Sequence, residues 1–310
     1  MSLGKWLVAV VFCAFLGKVT HAEEFIRVDE DPSAVRLQTA VTHFEKDGAK
    51  VDLIGAIHIA DKAYYDALGT RFTTYDSLLF EMVGGEKFPA AKVEANAVPP
   101  EPEPVPVDPA VKKKQPNLSG LHKIYETIAT YLDLTGQVDE IDYTTKNFVH
   151  ADLTSDEFFD LQAERKESLF TFMLKAAWAG KDSTTAQPDS FKLLQGIISH
   201  NANLIKLQLV HTLGEGDNQI AALMGDSVII TDRNTRCLEV MQRELDAGHK
   251  VLGIFYGAAH FPDMSKRLLE QGFVLKGQDW LTAWDIPKPA EKPVEKPAVE
   301  APQELAPATP

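Results

Sequence analysis

Near-continuous apolar runs toward both ends of the chain limit the folds that it can adopt. Residues 77–83 (SLLFEMV) and 250–259 (KVLGIFYGAA) contain few polar side chains. Runs of this kind are typical of strands that are buried on both faces of a sheet. Two further apolar segments, residues 35–44 and 50–58, flank Lys46-Asp47-Gly48 and predict a hairpin. The sequence therefore predicts a sheet whose strands come from distant parts of the chain.

The middle of the chain has helical periodicity. Thr154 and Glu157 form a capping-box pattern, and Asp189 is placed to cap a helix that runs through Ile205. Further helices are predicted over residues 61–68, 121–132, 226–247 and 263–271, and a last strand over residues 273–284. The predicted fold class is α/β, mixed α+β: one domain with a mixed central sheet built from N- and C-terminal strands, with helices packed over it.

Composition separates the folded part from the rest. Residues 88–116 and 287–310 together hold 15 of the 18 prolines, which favour extended, solvated chain, so we predict a disordered insertion and a disordered tail. Residues 1–22 have the charge, apolar run and small residues of a signal peptide, and the apolar run is too short to span a bilayer. We expect an exported, periplasmic or secreted protein with one domain formed by residues 23–87 and 117–286.

Charge and cysteine content limit the partners. There are 31 Lys and Arg residues against 45 Asp and Glu residues, and the net charge is −14. Such a chain repels phosphate backbones, so no nucleic acid is expected as a partner. After signal removal only Cys237 remains, which predicts a small buried side chain rather than a disulfide. No transmembrane helix is expected in the mature chain, and the sequence does not indicate an oligomeric state.

Two similar motifs end the predicted strands. Gly55-Ala56-Ile57-His58 closes one strand and Gly257-Ala258-Ala259-His260 closes another. Ligands of open sheets bind where strands end, and the small residues before each histidine allow close approach of the backbones. Packing in the core is the alternative for a single histidine. Because the two motifs share one context, we favour a common cleft that holds His58 and His260.

Glu81 and Arg233 extend this candidate site. Glu81 is a carboxylate within a predicted buried strand, where it needs a cation or strong hydrogen bonds, unless strand alternation places it on a solvated face. Two imidazoles and one carboxylate suit a first-row divalent ion with an open position for water. Arg233 is a candidate clamp for a carboxylate or an oxyanion, although from local sequence alone a surface ion pair with Asp232 or Glu239 is the better explanation.

These residues, in this order, resemble a known family. Gly55-x-x-His58, Glu81, the Arg233-Asn234 pair and Gly257-x-x-His260 resemble the TraB/PrgY family, which includes GumN-like bacterial proteins and the animal Tiki proteins. The likeness covers about residues 51–83 and 225–278. Asp232 stands where the family often has Glu.

The resemblance implies a fold, a metal and a set of site residues. It implies a mixed sheet flanked by helices, as in the distantly related erythromycin esterases and haem-binding ChaN proteins. Tiki proteins are described as metal-dependent proteases supported by manganese or cobalt, so it implies His58, Glu81 and His260 as metal or catalytic residues, with Arg233 and Asn234 matching the family's pair. Zinc is a further possible ion.

The sequence thus predicts an exported metal-dependent hydrolase, a peptidase acting on a peptide or other small substrate. Two alternatives stay open: a protein that sequesters a peptide or haem without turnover, and an esterase-like hydrolase that needs no metal. Glu81 is either a ligand or the general base. His150 and Asp152 are possible extra ligands, but Asp152 precedes a helix start and is interpreted as a cap. No H-E-x-x-H helix is present, which excludes a zincin-type protease.

Overall fold

The computed structural model describes residues 24–85, 126–167, 188–224 and 227–288. Its strands are β1 (Ile26–Glu30), β2 (Ala34–Lys46), β3 (Ala49–Ala56), β4 (Ile59–Ala60), β5 (Ser77–Phe80), β6 (Thr135–Gly136), β7 (Phe148–His150), β8 (Val251–Gly257) and β9 (Val274–Pro287). Its α-helices are α1 (Lys62–Phe72), α2 (Gln137–Glu140), α3 (Ser155–Glu164), α4 (Ser190–Ser199), α5 (Ala202–Met224), α6 (Arg233–Asp246) and α7 (Phe261–Glu270). Residues 126–131 are also helical.

The predicted hairpin is confirmed. Strands β2 and β3 pair antiparallel, and only Asp47 and Gly48 separate them. Both residues have positive φ, 50° at Asp47 and 80° at Gly48. A two-residue hairpin loop of the I′ type requires positive φ at both positions, and Asp and Gly adopt it more readily than other residues do. The turn chemistry therefore fixes the register of the two strands.

The main sheet has seven strands and mixed direction, which confirms the predicted α/β domain. Strand β9 pairs antiparallel with one edge of β2 along almost its whole length, while β1 and β3 share the other edge of β2. Beyond β3 the sheet continues through β8, β5 and β7, and these four neighbours all run parallel. Chain-distant strands therefore meet in the centre, as the apolar runs predict. A short ladder joins β4 to β6.

Helices cover the sheet with their apolar faces. Buried side chains of α1 are Tyr64, Tyr65, Leu68 and Phe72. Buried side chains of α7 include Phe261, Met264 and Leu268. All of these belong to one hydrophobic core with the strand residues, and Cys237 lies in the same core as a fully buried thiol. Helix α5 contacts β1, β2 and β9, so the central part of the chain packs over the sheet as predicted.

Several predicted boundaries are wrong. The helix predicted from Asp189 to Ile205 is two helices, because His200 adopts a left-handed conformation with φ 52° and ends α4. The helix predicted over 226–247 is a π-helix (Val228–Asp232) followed by α6. Strand β5 ends at Phe80, so Glu81 follows the strand instead of lying within it. The predicted tail begins too early, since Pro287 still pairs with Ala34.

Other predicted segments lie outside the described residues. These are the signal peptide (1–22), the proline-rich insertion (88–116), the start of the helix predicted over 121–132 and nearly all of the tail. Within the described ranges, no helix combines the length and the hydropathy that crossing a membrane demands.

Candidate functional site

Four parallel strands end at one edge of the sheet, and each is followed by a side chain of the candidate site. Neighbouring ends are in register, with Ala56 opposite Gly257, and Phe80 opposite both Phe255 and His150. The next residues along the chain include His58 after β3, His260 after β8, Glu81 after β5 and Asp152 after β7. The carboxyl ends of parallel strands are the usual position of ligand sites in open sheets. The topology thus gathers residues that are up to about 200 positions apart.

Glu81 is held by two hydrogen bonds. Its Oε1 accepts from Arg233 Nη2 at 2.7 Å, and its Oε2 accepts from the Gly257 backbone N–H at 2.6 Å. Burial by itself raises the pKa of this carboxyl, but the charge of Arg233, the electrostatic interactions with the His260 and His58 imidazoles and the Gly257 N–H lower it by more, so the pKa lies well below its ordinary value of 4.5. Glu81 is therefore an ionised carboxylate at the strand edge.

His58 lies beside this carboxylate. The electrostatic interaction with its imidazole is among the causes that lower the pKa of Glu81. The His58 residue is exposed, and its backbone oxygen accepts a hydrogen bond from Gln137 N at 2.9 Å. The first Gly-x-x-His motif therefore supplies a solvent-accessible imidazole, held in place by a contact from α2.

Arg233 is buried in a two-carboxylate clamp. Its Nε donates to Asp152 Oδ1 at 2.9 Å, and its Nη2 donates to Asp152 Oδ2 at 2.6 Å as well as to Glu81. This bidentate geometry is the strong form of a charge-assisted pair. The alternative of a surface ion pair is wrong, because Asp232 pairs with Arg165 and Glu239 with Arg236. Desolvation lowers the pKa of Arg233, but the two carboxylates raise it well above its ordinary value.

Asp152 has a different role from the one that the sequence predicts. The cap of α3 is Thr154, which forms the predicted capping box with Glu157. Asp152 instead accepts from Arg233 and from the Leu153 backbone N–H. The other possible ligand, His150, has its Nε2 hydrogen-bonded to Met82 O at 2.7 Å. No local signal pairs Asp152 with Arg233, which lies 81 residues further along the chain.

Asn234 determines which nitrogen of His260 carries the proton. The Asn234 amide nitrogen donates to His260 O at 3.1 Å and to Asp263 Oδ2 at 2.8 Å, which are both acceptors. Asn234 Oδ1 must therefore accept the remaining contact, from His260 Nδ1 at 2.6 Å. This assignment places the proton on Nδ1 and a lone pair on Nε2.

His260 is neutral at physiological pH. Burial, together with the charge of Arg233, lowers its pKa to about 4, although Glu81, Asp152 and Asp263 raise it. Its Nε2 lies 3.7 Å from Glu81 Oε1. Because a neutral imidazole nitrogen with a lone pair and an ionised carboxylate oxygen are both acceptors, they do not attract one another. The position between them favours a proton donor such as water, or a cation.

The predicted metal ligands are only partly brought together. His260 Nε2 and Glu81 Oε1 are close enough to bind the same ion. Metal-bound histidines typically bind through one ring nitrogen while the other donates a hydrogen bond, as His260 Nδ1 does to Asn234. His58 is near enough to influence the pKa of Glu81. Yet the described ranges contain no group of three His, Cys, Asp or Glu side chains that could hold an ion. The donor chemistry fits a divalent cation, whereas the third ligand is not in position.

Gly55 and Gly257, the first residues of the two motifs, have different structural roles. A Cβ at Gly55 would lie 3.0 Å from Thr39 Cβ and 3.2 Å from Ala40 O, so β2 and β3 can approach only without it. A Cβ at Gly257 would make an ordinary contact, 3.4 Å from Glu81 Oε2. At Gly55 the close approach is therefore to β2, and not to the second motif as the sequence predicts. At Gly257, by contrast, the backbone N–H that bonds Glu81 is the functional contact.

An open depression adjoins the site. It has a volume of about 1180 Å³, and Thr135, Gly136, Asp133, Asp139 and Glu126 are among its lining residues. The candidate site residues are not among its lining residues. Its connection to them is β6, where Gly136 pairs with Ile59, the residue after His58. Its three acidic side chains favour a neutral or basic ligand.

Comparison with protein-family models, curated proteins and solved structures returned no match to this chain.

Proposed function

We propose that this chain is an exported hydrolase that cleaves peptide bonds with a water molecule bound between His260 and Glu81. One observation carries the proposal: the neutral His260 Nε2, which bears a lone pair, lies 3.7 Å from an ionised Glu81 oxygen at the carboxyl edge of a parallel sheet. A water molecule there donates one proton to this pair of acceptors and keeps its second proton available to a base. Such a contact orients the oxygen lone pair of the water toward a substrate carbonyl.

His58 is the proposed general base. It is exposed and interacts electrostatically with Glu81, whereas buried His260 with a pKa of about 4 binds protons weakly. His58 takes a proton from the water while the water oxygen attacks the carbonyl carbon. The imidazolium that forms is stabilised by the negative charge of Glu81. His58 then returns the proton to the leaving nitrogen as the C–N bond breaks, which completes the hydrolysis.

Arg233 and Asn234 position these groups. Arg233 keeps Glu81 ionised and fixes its orientation through Asp152. Asn234 keeps the His260 lone pair on Nε2. Neither residue takes part in proton transfer, so we expect their loss to disturb the geometry and ionisation of the site.

A divalent cation remains part of the proposal. Glu81 and His260 would hold it, with His58 as the third ligand that the resemblance implies, and when bound it would lower the pKa of a water and polarise the carbonyl. Manganese or cobalt is the ion that the TraB and Tiki resemblance implies. The proton transfers described above do not depend on the ion.

The substrate class rests on the resemblance and on charge. A peptide fits the TraB and Tiki likeness, and the acidic lining of the depression and the net charge of −14 favour neutral or basic segments.

A peptide-library assay tests this function. The chain from residue 23 onward, prepared without a histidine tag, is incubated with the library, with and without exhaustive chelation, and with added manganese, cobalt or zinc. Mass spectrometry reports cleavage, and elemental analysis reports bound metal. We expect cleavage by the unaltered chain and by His211→Ala, an exposed histidine on α5, and at least a hundredfold slower cleavage by His58→Ala and Glu81→Gln.

The results of this assay distinguish the proposed hydrolase from the alternative functions. Capture of intact peptides without cleavage contradicts the hydrolase and favours sequestration. Cleavage that survives chelation favours the route without metal. Cleavage lost on chelation and restored by manganese or cobalt supports the metal-dependent route. Equal cleavage by His58→Ala and the unaltered chain would refute the role of His58 as the general base.

A further inference from the structure

Asp263 contacts the amide nitrogen of Asn234, the residue whose amide oxygen faces His260. It lies in the first turn of α7, and its Oδ2 accepts a hydrogen bond from Asn234 Nδ2 at 2.8 Å. The same carboxylate oxygen pairs with Arg267 Nε at 2.9 Å. Arg267 Nη1 also donates at 2.8 Å to the hydroxyl of Thr235, the residue after Asn234. The Asp263 carboxylate therefore connects α6 with α7 beside the candidate site.

The amide of Asn234 can have two orientations, and they place the proton of His260 on different nitrogens. In the orientation described above, Asn234 Oδ1 accepts from His260 Nδ1 at 2.6 Å. If the amide were turned over, its nitrogen would donate to Nδ1, and the proton of the neutral imidazole would be on Nε2. The orientation of this one amide therefore decides between the two tautomers of His260.

Glu81 favours the tautomer with the proton on Nε2. Its ionised Oε1 lies 3.7 Å from His260 Nε2. A proton on Nε2 would be attracted by this carboxylate, whereas the lone pair that Nε2 carries in the other tautomer is not. Glu81 alone would therefore draw the proton of His260 to Nε2, and another contact must oppose it.

Two acceptors oppose the turned amide. His260 O and Asp263 Oδ2 lie 3.1 and 2.8 Å from the amide nitrogen of Asn234, and both would face its amide oxygen if the amide turned. Asn234 is fully buried, so solvent does not replace these contacts. The backbone oxygen is a neutral acceptor, but the Asp263 oxygen belongs to a carboxylate, and hydrogen bonds to ionised groups are roughly twice as strong as neutral ones. Asp263 is therefore the stronger of the two contacts.

We propose that Asp263 is a positioning residue that keeps the proton of His260 on Nδ1 by fixing the amide of Asn234. Arg267 in turn holds the carboxylate in place. The tautomer does not depend on any activity, and only its catalytic consequence rests on the proposed hydrolase function. With the proton on Nε2, His260 would present a donor to Glu81, and the pair of acceptors that orients the water would be lost.

Nitrogen NMR of His260 at pH 7 tests this role, with a chelator present so that no cation competes for Nε2. In Asp263→Ala we expect the ratio of the Nε2-protonated to the Nδ1-protonated tautomer to rise at least about tenfold, because a hydrogen bond to a charged group is lost. Asp263→Asn keeps an acceptor oxygen for Asn234 and Arg267, so its ratio should stay within about threefold of the unaltered one. Glu270→Ala is the control, because it removes an exposed carboxylate from the same helix.

The outcomes distinguish this role from the hydrolase proposal. An unchanged ratio in Asp263→Ala, an equal shift in Glu270→Ala, or a proton on Nε2 in the unaltered chain would overturn the inference and leave the question of cleavage separate. A shifted ratio together with no peptide cleavage by the unaltered chain would support the role of Asp263 and refute the hydrolase. If Asp263→Ala fails to fold, Asp263→Leu, which has a similar size and no acceptor, should give the same shift.

Discussion

Removing the Arg233 guanidinium should destabilise the fold strongly. In Arg233→Met, three charge-assisted hydrogen bonds are lost, at 2.9, 2.6 and 2.7 Å. The carboxylates that remain are buried, with side-chain exposures of 0% for Asp152 and 15% for Glu81. Removing one partner of a buried ion pair costs about 3–5 kcal/mol, a large part of the 5–15 kcal/mol that stabilises an ordinary domain. We expect the free energy of unfolding in urea to fall by that amount at pH 7.

The stability lost in Arg233→Met should become smaller as the pH falls. In the unaltered chain the pKa of Glu81 is lowered, so its contribution to stability is present above the unfolded value of about 4.5 and is lost as pH falls through the folded pKa. Without Arg233, burial raises the pKa of Glu81, and protonation then relieves a buried charge. The difference in unfolding free energy between the two proteins should therefore shrink from pH 7 toward pH 4.

A surface arginine provides the control. Arg165 pairs with Asp232 at 2.9 Å, and its side chain is 38% exposed. Exposed pairs of this kind contribute about 0–1 kcal/mol, so Arg165→Met should change stability by no more than that. Equal losses for Arg233→Met and Arg165→Met, or a difference that grows toward acid pH, would refute the reasoning about the buried clamp.

Three further predictions follow from particular contacts. Gly55→Ala should cost about 1–3 kcal/mol in thermal unfolding because its Cβ meets Thr39, whereas Gly257→Ala should cost less than about 1 kcal/mol, and equal costs would contradict the packing argument. The hydrogen bond that His43 Nδ1 donates to the Asp52 carboxylate raises the pKa of His43, so the stability that His43→Asn removes is fully present below about pH 6.5 and disappears as pH rises through the folded pKa. A loss of stability in His43→Asn that grows at alkaline pH would refute this. Nitrogen NMR should find His260 neutral above pH 5 with its proton on Nδ1, and a proton on Nε2 would contradict the Asn234 assignment.

Local signals made much of the fold predictable. The turn at Asp47 and Gly48 and the cap at Thr154 both depend on neighbours within a few residues. The apolar runs predicted the central strands because burial on both faces leaves little room for polar side chains. The two Gly-x-x-His motifs could be found for the same reason, since each lies where an apolar run stops.

The remaining features depend on contacts between residues that are far apart in the chain, so they could not be predicted from the sequence. Asp152 follows β7, a strand of three residues that is too short to give a periodic pattern, and its partner Arg233 is 81 residues away. Glu81 was predicted within its strand because Met82 and Val83 prolong the apolar run after the strand has ended. The helix break occurs at His200, which adopts a left-handed conformation. Because this residue is not a glycine, the sequence gives no sign of the break. Such features follow from tertiary contacts, which local sequence does not encode.

The central claim is that two strand ends, β3 and β5, supply one catalytic unit, and a double-mutant cycle on peptide cleavage tests it most directly. The values of kcat/KM are measured for the unaltered chain, His58→Ala, Glu81→Gln and the double variant. Residues that act as a unit are strongly non-additive. The account predicts that the double variant is no slower than the slower single variant, within about threefold. Losses that multiply would mean that the two side chains act separately, which contradicts a shared site.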